Sequence, residues 1–245
     1  MAGVGIRSYA CHRQTRRLLD GDVLMSPGPG NTDMPQTKSS PIAHPYPGRL
    51  ITLDGIDGVG KSSQIEILAE RLRSEGRNVL CVRDPGSTDL GTKLRAMLLD
   101  SDLEMHRRTE AMLFMASRCE MIESTLRSAL ADGVTVISDR FLLANVVYQS
   151  VGGEVDAQTL WQLGRLACGG VQPDVTLLLD LPAEISMQRV GGEADRMESR
   201  GVDYMAKVRQ AFLDELPNAG GRTHVIDASG TIEEVAETIA AIELF

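Results

Sequence analysis

Between Gly55 and Ser63 the chain reads Gly55-Ile56-Asp57-Gly58-Val59-Gly60-Lys61-Ser62-Ser63, a spacing of glycines, lysine and hydroxyls suited to holding phosphate. The glycines let the backbone wrap closely and turn its N–H groups toward an anion. Lys61 can then reach the β- and γ-phosphates, and Ser62 can place a hydroxyl on Mg²⁺. Upstream, Leu50 to Leu53 is apolar and partly β-branched, as in a buried strand; downstream, Gln64 to Ala69 has helical character. A helix starting there adds free N–H groups and the positive end of its dipole. The alternative, a glycine-rich turn that binds nothing, is the weaker reading because pattern and context are both complete. The chain is expected to bind a nucleoside triphosphate.

Other chemistry-bearing residues follow from where the strands must end. Val79–Val82, Val134–Ile137, Val175–Leu179 and His224–Ile226 read as four further strands. Helical stretches lie between them: 62–74, 91–99, 108–131, 156–167, 182–189, 203–216 and 231–242. Alternation of this kind predicts an α/β fold with a five-stranded parallel sheet, helices on both faces, and ligands beyond the carboxyl ends of the strands. Arg83, Asp84 and, further on, Arg95 follow the second strand. Ser138-Asp139-Arg140 ends the third. Asp139 suits a carboxylate holding Mg²⁺ directly or through water, or equally a cap for the next helix. Arg140 faces the glycine loop, where its fork matches a phosphate; Arg83 suits the same task or a pair with Asp84 or a neighbouring carboxylate. Phe114 and Arg118 share a helix face, suiting either a base platform beside an arginine or a core ring beside a solvated one.

The remaining composition sets limits. A net charge of -9 argues against a broad nucleic-acid surface. Four scattered cysteines without paired spacing suit reduced thiols in a cytoplasmic protein, and no apolar run approaches a membrane span. Residues 1–47 are rich in proline, glycine and polar residues and are expected to be a disordered tail, leaving 48–245 as the folded domain. Arginines there admit a transit peptide, but Asp20 and Asp22 weaken it.

Five strings occur in order: Asp-Gly-Ile-Asp-Gly-Val-Gly-Lys-Ser-Ser, Arg-Asp-Pro-Gly-Ser-Thr, Leu-Phe-Met-Ala-Ser-Arg, Ser-Asp-Arg-Phe, and Pro173 to Asp180. Together they resemble the thymidylate kinase family from about residue 49 to the end. The resemblance implies a three-layer P-loop NTPase fold with a small lid, and phosphoryl transfer from ATP to dTMP with Mg²⁺ in a homodimer. By matching position, it implies that Phe114 stacks on the base and Arg118 and Asn145 reach it. Tyr148 crowds the 2′ position, Arg95 and Arg140 hold the monophosphate, Arg83 lies in the substrate-side loop, and Asp57 sits near acceptor and metal. The family places a catalytic arginine in the phosphate loop or the lid. Gly58 leaves the loop uncharged, so the lid must supply it, with Arg196 first and Arg189 second; Arg189 can instead satisfy its own helix's last carbonyls, and Arg200 matches nothing. Ala144 and Leu142 stand where many relatives carry polar residues, which bears on thymine selection. Met112, Met115 and Met121 offer apolar material for pairing, or for the core. Two alternatives stay open: a kinase of another nucleoside monophosphate, and a silent nucleotide-binding regulator. A GTPase is disfavoured by the lack of an Asn-Lys-x-Asp string.

Overall fold

Short aliphatic and β-branched runs, hidden on both faces in the three inner strands, give the chain its central sheet. The structure, a computed structural model, describes residues 45–100, 103–152, 154–189 and 201–245. Strands β1 (Arg49–Asp54), β2 (Val79–Arg83), β3 (Thr135–Asp139), β4 (Val175–Asp180) and β5 (Arg222–Asp227) pair in parallel in the order β2-β3-β1-β4-β5. Leaving β1, the chain crosses to one side for β2 and β3, then to the other for β4 and β5. The loop after β1 therefore opens at the point where the winding reverses, the crevice that parallel sheets offer to ligands. Register aligns Leu53 with Asp139 and Asp139 with Arg83, so the strand-end residues stand in one row.

Helix α1 (Lys61–Ser74) follows the glycine loop and packs on β1, β2 and β3, beside α9 (Ile232–Ala240). Next come α2 (Asp89–Leu99) and α3 (Arg107–Met121), with Thr88 capping α2 through Gly91 N. The stretch expected to be one long helix is helical throughout, but in three parts: α3, a π-helical turn over Ile122–Leu126, and α4 (Arg127–Ala131). Helix α5 (Leu142–Ser150) was not expected from the sequence. Eight of its nine residues are buried, so it shows no apolar stripe to read. It packs against α3, α6 (Ala157–Cys168) and α8 (Val202–Glu215), while α7 (Ala183–Arg189) packs on α8. Most of the expected tail, and the lid arginines Arg196 and Arg200, lie outside the described residues. Of the methionines expected to help pairing, Met115 and Met121 are core residues, while Met112 is exposed.

Two contacts fix the elements nearest the loop. Asp174 accepts from Leu50 N at 2.8 Å and from Arg49 Nη1 at 2.9 Å, tying the start of β4 to that of β1. At the other contact, α6 approaches α5 at Gly164, where an added Cβ would lie 2.9 Å from Leu142 Cγ and closer still to its methyl groups. Gly164→Ala should therefore destabilise the protein by about 1–3 kcal/mol, as overpacking does, despite alanine's better helix propensity. Urea denaturation checks this: an unchanged or higher midpoint would mean that the two helices can part without cost.

Candidate active site

The turn from β3 into α5 holds the site together. Arg140 is left-handed, with φ 67, a conformation unusual for a side-chain-bearing residue. Its N–H donates to Leu53 O at 3.0 Å, and Ser138 Oγ donates to its carbonyl at 2.6 Å. So placed, its guanidinium bridges to the glycine loop: Nη1 donates to Gly55 O at 2.9 Å and Nη2 to Asp57 Oδ1 at 2.5 Å. Tyr148 donates to the other Asp57 oxygen at 3.2 Å. Burial pushes the Asp57 carboxyl upward, but the charges of Arg140 and Lys61 prevail and hold it well below the usual carboxylate range. Burial drives the Tyr148 phenol far above its ordinary value, so it remains a donor.

Two cavities meet at this bridge. The larger, about 330 Å³, is lined by Gly58, Gly60, Lys61, Ser62 and Ser63 of the glycine loop and by Arg83, Asp139 and Arg189. Lys61 opens α1 and donates to the carbonyls of Gly55 (3.2 Å) and Ile56 (2.8 Å). Burial and the nearby Arg140 charge pull its ammonium down to about 8. An anion in this cavity would favour its charged form. The smaller cavity, about 80 Å³, is lined by Phe114, Arg118, Ala144, Asn145, Tyr148 and Gln149. Asp57, Asp84, Arg95 and Arg140 line both.

Several open readings resolve here. Phe114 is buried and also forms part of the smaller cavity's wall. Arg118 is not solvated: it is 1% exposed and pairs with Asp84 at 2.5 Å. Arg83 therefore does not take Asp84; it donates to Asp139 Oδ2 at 2.9 Å and lines only the larger cavity of the two. Asp139 does not cap α5, which begins after Phe141 with no side-chain cap. Arg189 does not close its own helix; its Nη1 donates to Ala228 O at 2.9 Å, tying α7 to the loop after β5. Leu142 points at Gly164 rather than into the smaller cavity, whereas Ala144 does line it.

A thymidylate kinase family model matches residues 53–239. This chain belongs to the thymidylate kinase family. It is 40% identical over 198 residues to the thymidylate kinase of Bifidobacterium longum subsp. infantis, spanning 79% of this chain and 85% of that one. Against the thymidylate kinase of Neisseria gonorrhoeae the identity is 38% over 196 residues, spanning 79% and 95%. Thymidylate kinase from Thermosipho africanus is 35% identical over 194 residues, spanning 79% and 96%.

Within this family member the sequence reading missed Asp54, Gln149 and Glu110. Asp54 ends β1, is fully buried, and among the described residues has no hydrogen-bond partner on either carboxylate oxygen. Asp139 likewise has an unpartnered buried Oδ1 on the neighbouring strand end. Among the described residues there is no group of three or more His, Cys, Asp or Glu fit to hold a metal. Asp139 and Ser62 both line the larger cavity, and their oxygens fit a hard divalent ion that keeps its waters and shares substrate phosphates. Desolvation raises the Asp54 carboxyl to about 6, against the opposing charges of Arg140 and Lys61.

That shift has a definite sign. A carboxyl raised from 3.8 to about 6 contributes full stability below pH 4 and loses it as pH rises through 6. Asp54→Asn mimics the protonated form. In EDTA it should match wild type at pH 4 and be more stable at pH 7.5, by roughly 3 kcal/mol at most. Mg²⁺ should then raise the wild-type Tm more than the variant's. Thermal melts at both pH values, with and without Mg²⁺, check both statements; a variant destabilised at pH 7.5 in EDTA would contradict them.

Proposed function

We propose that this chain transfers the γ-phosphoryl group of ATP to dTMP, giving dTDP and ADP for dTTP synthesis. The observation that carries this is the Arg140–Asp57 bridge, which puts one guanidinium at the boundary of a triphosphate-sized cavity and a small aromatic-walled one. Donor and acceptor phosphates would meet there.

The acceptor phosphate is already ionised near neutral pH, so the residues need only align and neutralise. Residues 55–63 would cradle the donor phosphates, and Lys61 would exchange its loop carbonyls for their oxygens. Arg95 and Arg140 would hold the acceptor phosphate, with Arg83 at the side of the larger cavity. Phe114 would stack on the base, Arg118 and Asn145 would face its edge, and Tyr148 would crowd the 2′ position. Mg²⁺, when bound, supplies charge neutralisation, and Ser62, Asp139 and Asp57 would hold it with Asp54 behind them. The last transition-state cation is assigned by sequence to Arg196, since Gly58 carries none and Arg189 is engaged with Ala228 O. Arg196→Ala should lower kcat by 10-fold or more, short of the roughly 10³–10⁵ of a trans-acting arginine, with little change in either KM.

We assign the activity to residues 48–245 and place the protein in the cytoplasm; among the described residues no helix is long and apolar enough to cross a membrane. A homodimer is supported by exposed Leu90 and Met97 on α2, Leu103, and Met112 on α3. ADP release with dTMP, compared with dUMP, dCMP and dGMP, tests the reading; preference for another acceptor or no transfer would refute it. Phe114→Ala should raise the KM for dTMP about 10-fold or more through lost stacking and leave that for ATP unchanged. Equal damage to both substrates would make the ring a core residue only.

A further inference from the structure

Along the wall of the smaller cavity, four buried polar side chains form one hydrogen-bonded line that ends behind it. Arg118 Nη1 donates to Asn145 Oδ1 at 3.0 Å, Asn145 Nδ2 to Gln149 Oε1 at 2.7 Å, and Gln149 Nε2 to Glu110 Oε1 at 3.0 Å. None of the four is more than 4% exposed. Helix α3 supplies both charged ends, and α5 supplies the two amides one turn apart.

The ends are chemically unambiguous and the middle is not. A guanidinium only donates and a carboxylate only accepts, whereas an amide presents a donor or an acceptor depending on which way it is turned. With Arg118 at one end and Glu110 at the other, each amide has a single sense that satisfies both junctions. Turning either one sets N–H against N–H, or oxygen against oxygen, in a buried place where an unmatched group is costly. Asp84 holds Arg118 from its other side at 2.5 Å, so that end cannot swing away freely.

Arg118, Asn145 and Gln149 line the cavity, whereas Glu110 does not. Each amide still has a second N–H and a second lone pair for a ligand. Thymine and cytosine differ at the edge such groups would read. Thymine offers a carbonyl acceptor beside an N–H donor; cytosine offers an amino donor beside a nitrogen acceptor. Freely turning amides can suit either edge, and amides locked in one sense suit only one.

We propose that Glu110 is a positioning residue that selects keto over amino pyrimidines, by fixing the sense of the Asn145 and Gln149 amides. The inference rests on the smaller cavity being the base site. Glu110 acts through Gln149 and touches no substrate. Its effect belongs to the donor–acceptor pattern of the ring and not to the methyl group that separates thymine from uracil.

The test uses the full chain and compares kcat/KM for dTMP, dUMP and dCMP with ATP, in wild type and in Glu110→Gln. Glutamine keeps the shape but can donate or accept, so turning Gln149, alone or with Asn145, then spoils one junction of the line instead of two. The dTMP-to-dCMP ratio should fall about 10-fold or more, the scale of one unmatched buried hydrogen bond. The dTMP-to-dUMP ratio and the KM for ATP should stay within about twofold of wild type. In a Gln149→Ala background, adding Glu110→Gln should move the ratio no further, since the effect passes through Gln149. A dTMP-to-dCMP ratio unchanged in Glu110→Gln, or all three acceptors weakened in proportion, overturns the proposal while leaving the base site standing. Wild type that does not prefer dTMP to dCMP overturns the base-site reading and this inference with it. Should Glu110→Gln fail to fold, a crystal structure of wild type with dTMP decides. Gln149 Nε2 still on Glu110 supports the proposal, and Gln149 swung off Glu110 onto the base defeats it.

Discussion

The ion pair between Arg140 and Asp57 joins two pieces of chain 83 residues apart, and most of the site is arranged about it. A left-handed backbone at a residue with a long side chain carries a steric cost of about 1–3 kcal/mol. Here it is held by the Leu53 carbonyl and the Ser138 hydroxyl, both at strand ends of the central sheet. The sheet therefore sets the direction of the guanidinium, and the guanidinium sets the position of the glycine loop through Gly55 O and Asp57. Tyr148 reaches the same carboxylate from α5, so the helix that lines the smaller cavity is tied to the glycine loop. The two cavities share one charged point, an arrangement suited to in-line transfer between groups held in them because their separation is fixed beforehand.

Around that pair the protein carries a dense group of charges that do not favour the ligand-free fold. Asp54 is buried without hydrogen-bond partners among the described residues, and Lys61 has its ammonium pulled down to about 8. Both costs would fall with a cation beside Asp54 and an anion beside Lys61. Binding energy is thus available as relief of an existing electrostatic cost. In the Arg118–Asp84 pair, at 2.5 Å, each buried charge has the other as partner, and Arg118 carries the contact on to Asn145.

The sheet was legible because its strands are short apolar runs between turn signals, and the glycine loop because its residue types answer directly to phosphate. Arg83 and Arg140 were legible as strand-end arginines. Helix α5 was not, since a helix buried on nearly every side shows no periodic contrast. Asp54 was hidden in plain view: next to a glycine loop, an aspartate at a strand end reads as part of the motif, and only burial shows that its oxygens lack partners. Gln149 and Glu110 had no local signal either. Their meaning lies in a chain of contacts between two helices, and a sequence without spatial neighbours does not display that. Arg189 had a local signal that misled, because the carbonyl it binds belongs to a loop 39 residues away.

The π-helical turn over Ile122–Leu126 has a geometric effect on the whole of the long helical segment. In a regular α-helix, residues four apart advance around the axis by about 40° at each step, so such a stripe soon winds off the face where it began. Phe114, Arg118, Ile122, Leu126 and Leu130 are spaced four apart, and all five are buried. The wider turn rotates the chain less per residue and takes back part of that advance. It acts as a vernier between two rulers of unequal pitch. One uninterrupted spine thereby runs from the Phe114 wall of the smaller cavity to the Leu130 carbonyl that receives Gly48 N at 2.9 Å, at the very entrance to the first strand.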